Sequence, residues 1–293
     1  MSNLTFFGQA AACGLFLLTL GACERKADVT PAVGDATASS AYTWDGNGGS
    51  NNFFYALSGG VQLDKLSSGY NGGVLASVTI TGLQAGETIL GMDFRPANGQ
   101  LYAVGSSNRI YVINPTTGAA TAVGAPFTPA LNSQNVAFDF NPVVDRIRLV
   151  TDQDQNLRLN PGTGAVVAVD GSINPAAASV TAVAYRNSVA GATSTVLYDI
   201  DPTTSKLYRQ DPPNSGSLVE IGSLRLNFTG TEGGFDIAGT GDEGMGIFPI
   251  DGVSSLFTVD LRSGYARVQA RYNKTYTAIA LPIQAASSGG YGY

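Results

Sequence analysis

DFRPANGQLYAVGSSNRIYVINPTTGA, from Asp93 to Ala119, returns as DFNPVVDRIRLVTDQDQNLRLNPGTGA, from Asp139 to Ala165. The two align without a gap, with a step of 46 residues from Asp93 to Asp139 and again from Asn114 to Asn160. Each unit reads as four short strands. A fixed period of this size marks a repeat architecture in which no unit buries its faces alone. The expected fold is all-β, a β-propeller whose blades pack against one another.

Working outward, the most persistent element is an Asn or Asp that ends a strand, with Gly four or five residues later. It occurs at Asp64 with Gly69, Asn114 with Gly118, Asn160 with Gly164, Asp211 with Gly216, and Asp260 with Gly264. The Asn or Asp side chain caps the turn backbone and Gly takes the positive φ that closes it. Three residues before each anchor stands an apolar or aromatic residue: Val61, Tyr111, Leu157, Tyr208, Phe257. The anchors are spaced 50, 46, 51 and 49 residues apart, so five four-stranded blades are expected over residues 53–283. Inner strands precede four anchors, ending at Phe94, Phe140, Asn187 and Ala238. The first anchor lacks one. Either TAIAL (Thr277–Leu281) or YTWD (Tyr42–Asp45) closes the first blade and removes its exposed edge.

Charged residues make up 13% of the 293-residue chain and Gly 37 positions, a composition that suits a turn-rich extracytoplasmic β protein. The net charge of -6 argues against a nucleic-acid partner, since no basic patch exists to neutralise phosphates. Residues 1–22 read as a signal peptide with an apolar core from Ala10 to Ala22. The ending LGAC, Leu20–Cys23, resembles a lipobox, which implies acylation of Cys23, although residues 1–9 carry no Lys or Arg. Residues 23–52 read as a lipid-anchored flexible tether and residues 284–293 as a disordered tail, both too poor in large apolar groups to fold. The expected location is the bacterial cell envelope, periplasmic or surface-facing.

Chemistry is constrained by what is missing. The chain has no His, and its two Cys are assigned to the signal segment and the lipid. Ser-His-Asp and Cys-His catalysis and His-based metal sites are thereby excluded. No catalytic residues are expected. The candidate metal ligands are Asp93, Asp139 and Asp236, one on each of three inner strands, where carboxylates converging on the axis suit calcium. The fourth blade offers Arg186, or Tyr185 one register away. In the competing reading each Asp hydrogen-bonds backbone near its own strand and fixes the blade, and replacement costs add because the sites share no partner. DQDQN (Asp152–Asn156) resembles the start of a calcium loop but lacks the Gly and closing Glu. GTGDEGMG (Gly239–Gly246) lacks the Lys of a phosphate loop and reads as a blade connection. Tyr102, Arg109, Arg146, Arg148 and Arg158 read as blade packing and turn rims that could also line a recognition face.

The segments DFRPANGQLYAVG, FDFNPVVDRIRLVTDQDQNLRLNP, GFDIAG and YTAIALP resemble the domain of unknown function 4394 family over about Phe53 to Ile283. The resemblance implies an extracytoplasmic bacterial propeller and carries over no catalytic residue. Two functions stay open. One is a non-enzymatic binding or scaffold module, held at a membrane by its lipid and recognising a protein or glycan, with no cofactor. The other is a hydrolase or lyase using a central calcium.

Overall fold

A computed structural model describes residues 53–69 and 73–283. The segments read as signal peptide, tether and tail, with Cys23 and the YTWD strand, lie outside the described residues. The described chain holds twenty strands and a single 3-10 turn, Pro213–Ser215.

The strands fall into five antiparallel sheets of four. Blade 1 begins with β1 (Phe53–Ser58), β2 (Gln62–Ser67) and β3 (Val74–Thr79). Blade 2 contains β4 (Ile89–Phe94), β5 (Leu101–Gly105), β6 (Arg109–Ile113) and β7 (Ala120–Val123). Blade 3 contains β8 (Val136–Asn141), β9 (Arg146–Thr151), β10 (Asn156–Leu159) and β11 (Val166–Val169). Blade 4 contains β12 (Ala182–Tyr185), β13 (Leu197–Asp201), β14 (Lys206–Gln210) and β15 (Leu218–Ser223). Blade 5 contains β16 (Gly234–Asp236), β17 (Glu243–Ile250), β18 (Val253–Asp260) and β19 (Ala266–Tyr272). The last strand, β20 (Ala278–Ala280), returns to pair with β1 and completes blade 1. The inner strands β20, β4, β8, β12 and β16 touch in that order and close the ring. Closure leaves no inner edge to pair with another chain.

The core lies between blades. Five apolar clusters occupy the five interfaces: Leu57 with Met92, Val104 with Phe140, Val150 with Val183, Tyr198 with Phe248, and Met245 with Phe54. Both faces of the middle strands are therefore covered, which is why β5 reads LYAVG, an unbroken apolar run, rather than alternating. Each fully buried Leu or Phe contributes about 1.5–3 kcal/mol. The outer strands face solvent, as Val74, Leu75 and Val169 show.

The repeated turn acts between blades as well as within one. Thr116 and Thr117 N–H donate to Asn114 Oδ1 at 2.9 and 3.1 Å, and Gly162 N–H donates to Asn160 Oδ1 at 2.8 Å. Asp260 caps Arg262 and Ser263 in the same way. Gly118 has φ +76° and sits so close to blade 1 that a Cβ there would stand 2.1 Å from the Thr79 carbonyl oxygen. Gly164, φ +70°, meets Val123 of blade 2 likewise, at 2.4 Å. The Gly of the repeat thus serves two needs, the left-handed turn and the close approach of the neighbouring blade.

Three assignments change. Asp64 is not a turn anchor. It lies inside β2, buried, and Ser67 takes the turn, its N–H donating to the Gly73 carbonyl and its Oγ accepting from Gly69 N–H at 3.3 Å. Val61 accordingly falls in the β1–β2 turn, 38% exposed. Asp211 keeps the anchor position, its N–H donating to the Ser217 carbonyl at 2.8 Å and Gly216 closing the turn at φ +71°, but its carboxylate ion-pairs with Arg209 at 3.1 Å. Gly239–Asp242 joins β16 to β17 inside blade 5, and Glu243–Gly246 belong to β17 itself.

Candidate functional site

Asp93, Asp139 and Asp236 stand at matching positions of β4, β8 and β16, all nearly fully buried. One carboxylate oxygen of each lies within 4.8 Å of the others. Each also accepts a backbone N–H from the next blade. Phe140 N–H donates to Asp93 Oδ2 at 3.0 Å, Tyr185 N–H to Asp139 Oδ1 at 3.0 Å, and Leu281 N–H to Asp236 Oδ2 at 2.6 Å. Ile237 N–H adds a bond to Asp236 Oδ1 at 2.6 Å.

This pattern fixes the register of the ring. Tyr185 does for Asp139 what Phe140 does for Asp93, so the blade 4 equivalent of the aspartates is Ala184, not Arg186 or Tyr185. In blade 1 it is Ala280, one residue before Leu281. The pairing agrees: Asp93, Asp139 and Ala184 stand opposite Tyr102, Arg148 and Tyr198. Arg186 lies beyond β12 and ion-pairs with Asp242 at 2.5 Å. The three acids also share one neighbourhood, so their replacement energies are coupled rather than independent.

Burial is the largest influence on all three and pushes each carboxyl upward, Asp236 to about 7. Asp236 raises Asp93 further, and Asp93 and Asp236 raise Asp139. Three carboxylates this close cannot all ionise without a counter-charge. Toward the starts of the same strands, the inner residues Gly91, Ala137, Val183 and Gly234 line a void of about 10 Å³. That is at most the volume of one water.

The same donor set can be tested against calcium, which takes six to eight oxygens. Asp93 and Asp139 each already spend one oxygen on a backbone N–H from the next blade, and Asp236 spends both of its oxygens on backbone N–H groups. The neighbouring void holds at most one water toward completing a shell. The fit is poor.

A second buried polar cluster went unrecognised as such in the sequence. Arg148, only 2% exposed, donates from Nη1 to Asn156 Oδ1 and Asp170 Oδ2, both at 2.6 Å. Its Nη2 reaches Asn214 at 2.8 Å and its Nε the Tyr185 hydroxyl at 3.2 Å, both in blade 4. Asp199 in β13 is fully buried, and neither carboxylate oxygen has a hydrogen-bond partner. Burial holds its carboxyl well above the ordinary range, and Arg148 offsets part of that.

The other singled-out residues are dispersed. Tyr102 is buried against Phe140, their ring centroids 5.3 Å apart. Arg158 pairs with Asp170 at 2.7 Å, and Arg146 donates to the Asp145 carbonyl at 2.8 Å. Arg109 opens β6, at the end of the β5–β6 hairpin. Asp152 and Asp154 occupy the β9–β10 hairpin, where Asp152 accepts from Asn135 at 3.3 Å.

Five four-stranded sheets around a carboxylate-bearing axis define a five-bladed β-propeller. The chain belongs to the DUF4394 family, a domain of unknown function matched over residues 62–281. It is similar to a structural genomics protein of unknown function from Bacteroides thetaiotaomicron, at 15% identity and TM-score 0.50, over 80% of this chain. The chain spans 65% of that protein's length. PorZ, a surface component of the type-IX secretion system of Porphyromonas gingivalis, matches at 15% identity and TM-score 0.38, over 75% of this chain and 27% of its own. The Dos1 propeller matches at 14% identity and TM-score 0.40, over 72% and 59%. At these identities the likeness concerns fold alone. No curated protein matches the chain.

Proposed function

We propose that this propeller is a non-enzymatic binding module, displayed from a bacterial membrane by a lipid on Cys23. The observation that carries the reading is the use made of the axial carboxylates. Asp93, Asp139 and Asp236 each hold the backbone of the following blade, as inter-blade locks do. A rigid ring of this kind presents its loops as a recognition surface. The competing reading, a calcium-dependent hydrolase or lyase, draws on the 4.8 Å convergence of the same three residues.

Chelation separates the two. Purified full-length chain is dialysed against a strong chelator, and bound metal and melting temperature are measured before and after. The expected result is no stoichiometric metal and an unchanged melting temperature. A chelator-dependent fall in melting temperature, with metal lost from the Asp93→Asn, Asp139→Asn and Asp236→Asn variants alike, would make the axis a metal site and end the binding-module reading.

The anchor is tested separately. In bacteria fed labelled fatty acid, the full chain should take up label and Cys23→Ser should not. Equal label in both, or none in either, removes the membrane from the proposal.

A further inference from the structure

The end of the ring at which the inner strands begin carries a cavity of about 370 Å³. Small-molecule sites occupy roughly 300–1,000 Å³. Its apolar lining residues are Ile89, Leu90 and Val136 at the starts of β4 and β8, of which Leu90 is the half-buried one and the other two are buried in the blade interfaces. Its walls carry Thr88, Gln134, Glu232 and Thr277. Blades 1, 2, 3 and 5 contribute lining residues and blade 4 does not.

One side chain ties the loops on either side of blade 4 together. Asn135, in the loop entering blade 3, donates from Nδ2 to Thr231 Oγ1 at 3.1 Å, in the loop entering blade 5. The bond joins the loops that enter blades 3 and 5, which flank blade 4 in the ring. The same Nδ2 donates to Asp152 Oδ2, tying the β9–β10 hairpin to the rim. The cavity is thus a preformed feature held by side-chain bonds between three loops, which lowers the ordering cost of binding.

Its charge has one sign. Among the described residues, Glu232 is the charged residue of the lining, and no Lys or Arg accompanies it. Beyond Asn135 lies a second carboxylate, Asp152, whose Oδ1 is buried without a hydrogen-bond partner. Asp154 adds a third nearby, close enough for Asp152 to push its carboxyl upward after burial. Lys274, in the connection that leads to β20, has its ammonium committed to Asp64 at 2.6 Å.

Apolar side chains beside hydroxyls, an amide and a single carboxylate suit one kind of guest. We propose that this cavity binds an alkylammonium group, its hydrocarbon on Ile89, Leu90 and Val136 and its ammonium on Glu232. The inference rests on the binding-module reading and deepens it. The group can come from a free small amine or from a lysine side chain of a protein, which share this chemistry.

The test titrates the full chain with n-butylamine, butyramide and butyrate, followed by ligand-detected NMR. n-Butylamine should saturate, the neutral amide should bind roughly fivefold or more weakly, and the anion should not bind. Glu232→Gln should weaken n-butylamine roughly fivefold and leave butyramide and the melting temperature unchanged, because Glu232 is exposed. Nα-acetyl-lysine amide binding more tightly than n-butylamine assigns the group to a protein partner, and weaker binding assigns it to a free amine. Equal affinity for all three probes, or n-butylamine binding untouched by Glu232→Gln, overturns the proposal. If that occurs while melting stays chelator-insensitive, the amine cavity fails and the binding-module reading stands.

Discussion

Arg148→Met is expected to destabilise the propeller by roughly 3–5 kcal/mol, read as a fall in the urea midpoint of the full chain. Met keeps most of the stem's apolar volume, so the loss isolates the guanidinium. Four hydrogen bonds disappear together, to Asn156, Asp170, Asn214 and Tyr185. Two of them cross from blade 3 to blade 4, the interface with the smallest apolar cluster of the five. Asp170 retains Arg158, but at a site where Arg158 is itself 30% exposed and screened by water. Asp199 loses the neighbouring positive charge that offsets its burial. Asp199→Asn serves as the contrast. Its carboxyl has no hydrogen bond to lose, so near pH 4–5, where burial keeps it protonated, the change should shift stability by less than about 1 kcal/mol. Two buried titratable residues on one interface then differ severalfold in cost, according to their partners. An Arg148→Met midpoint equal to the parent's would mean that water replaces the guanidinium without penalty.

What could be read from the sequence is what each blade settles locally. Asn114, Asn160 and Asp260 cap their turns with their own side chains, so the motif repeats wherever the turn does. The step of the repeat and the five blades follow from that local chemistry, whereas the choice of Thr277–Leu281 over Tyr42–Asp45 as the closing strand is made by its pairing with β1. Asp64 was misread because blade 1 makes its turn with a serine hydroxyl. The carboxylate nearby belongs to a different structure altogether, reaching Lys274 and Tyr276 more than two hundred positions away. Ala184 was missed because the register of an inner strand is set by the preceding blade, through the bond from Tyr185 N–H to Asp139. The Arg148 cluster and the cavity beside Glu232 draw on residues from several blades or loops, with no spacing in common. Only the folded ring brings them together.

Raising the pH from about 5 to about 8 is expected to weaken the fold, opposite to a protein held by ordinary ionised carboxylates. A carboxyl at about 7 in the folded chain, against an ordinary value of 3.8, binds a proton more tightly when folded than when unfolded. Its stabilising contribution is complete below about pH 4 and disappears as the pH rises through about 7. For Asp236 alone this amounts to roughly 4 kcal/mol. Asp93, Asp139 and Asp199 act in the same direction, since burial raises each of them. Asp64, Glu87, Asp145 and Asp170 oppose them, because hydrogen bonds and ion pairs hold these acids low. Their contributions are complete above the ordinary carboxylate range and are lost only as the pH falls below it. Stability should therefore peak at roughly pH 4–5, between the two sets. Urea midpoints across this range give the profile. Asp139→Asn supplies the control, because the amide oxygen still accepts the Tyr185 N–H and cannot ionise. The variant should match the parent near pH 4–5 and exceed it at pH 8. A cation shared by the three aspartates would reverse the slope, since it binds them ionised and would stabilise the fold as the pH rises. A parent whose stability increases from pH 5 to pH 8, with Asp139→Asn the weaker protein at pH 8, would show that the axis is held by a cation and not by protons.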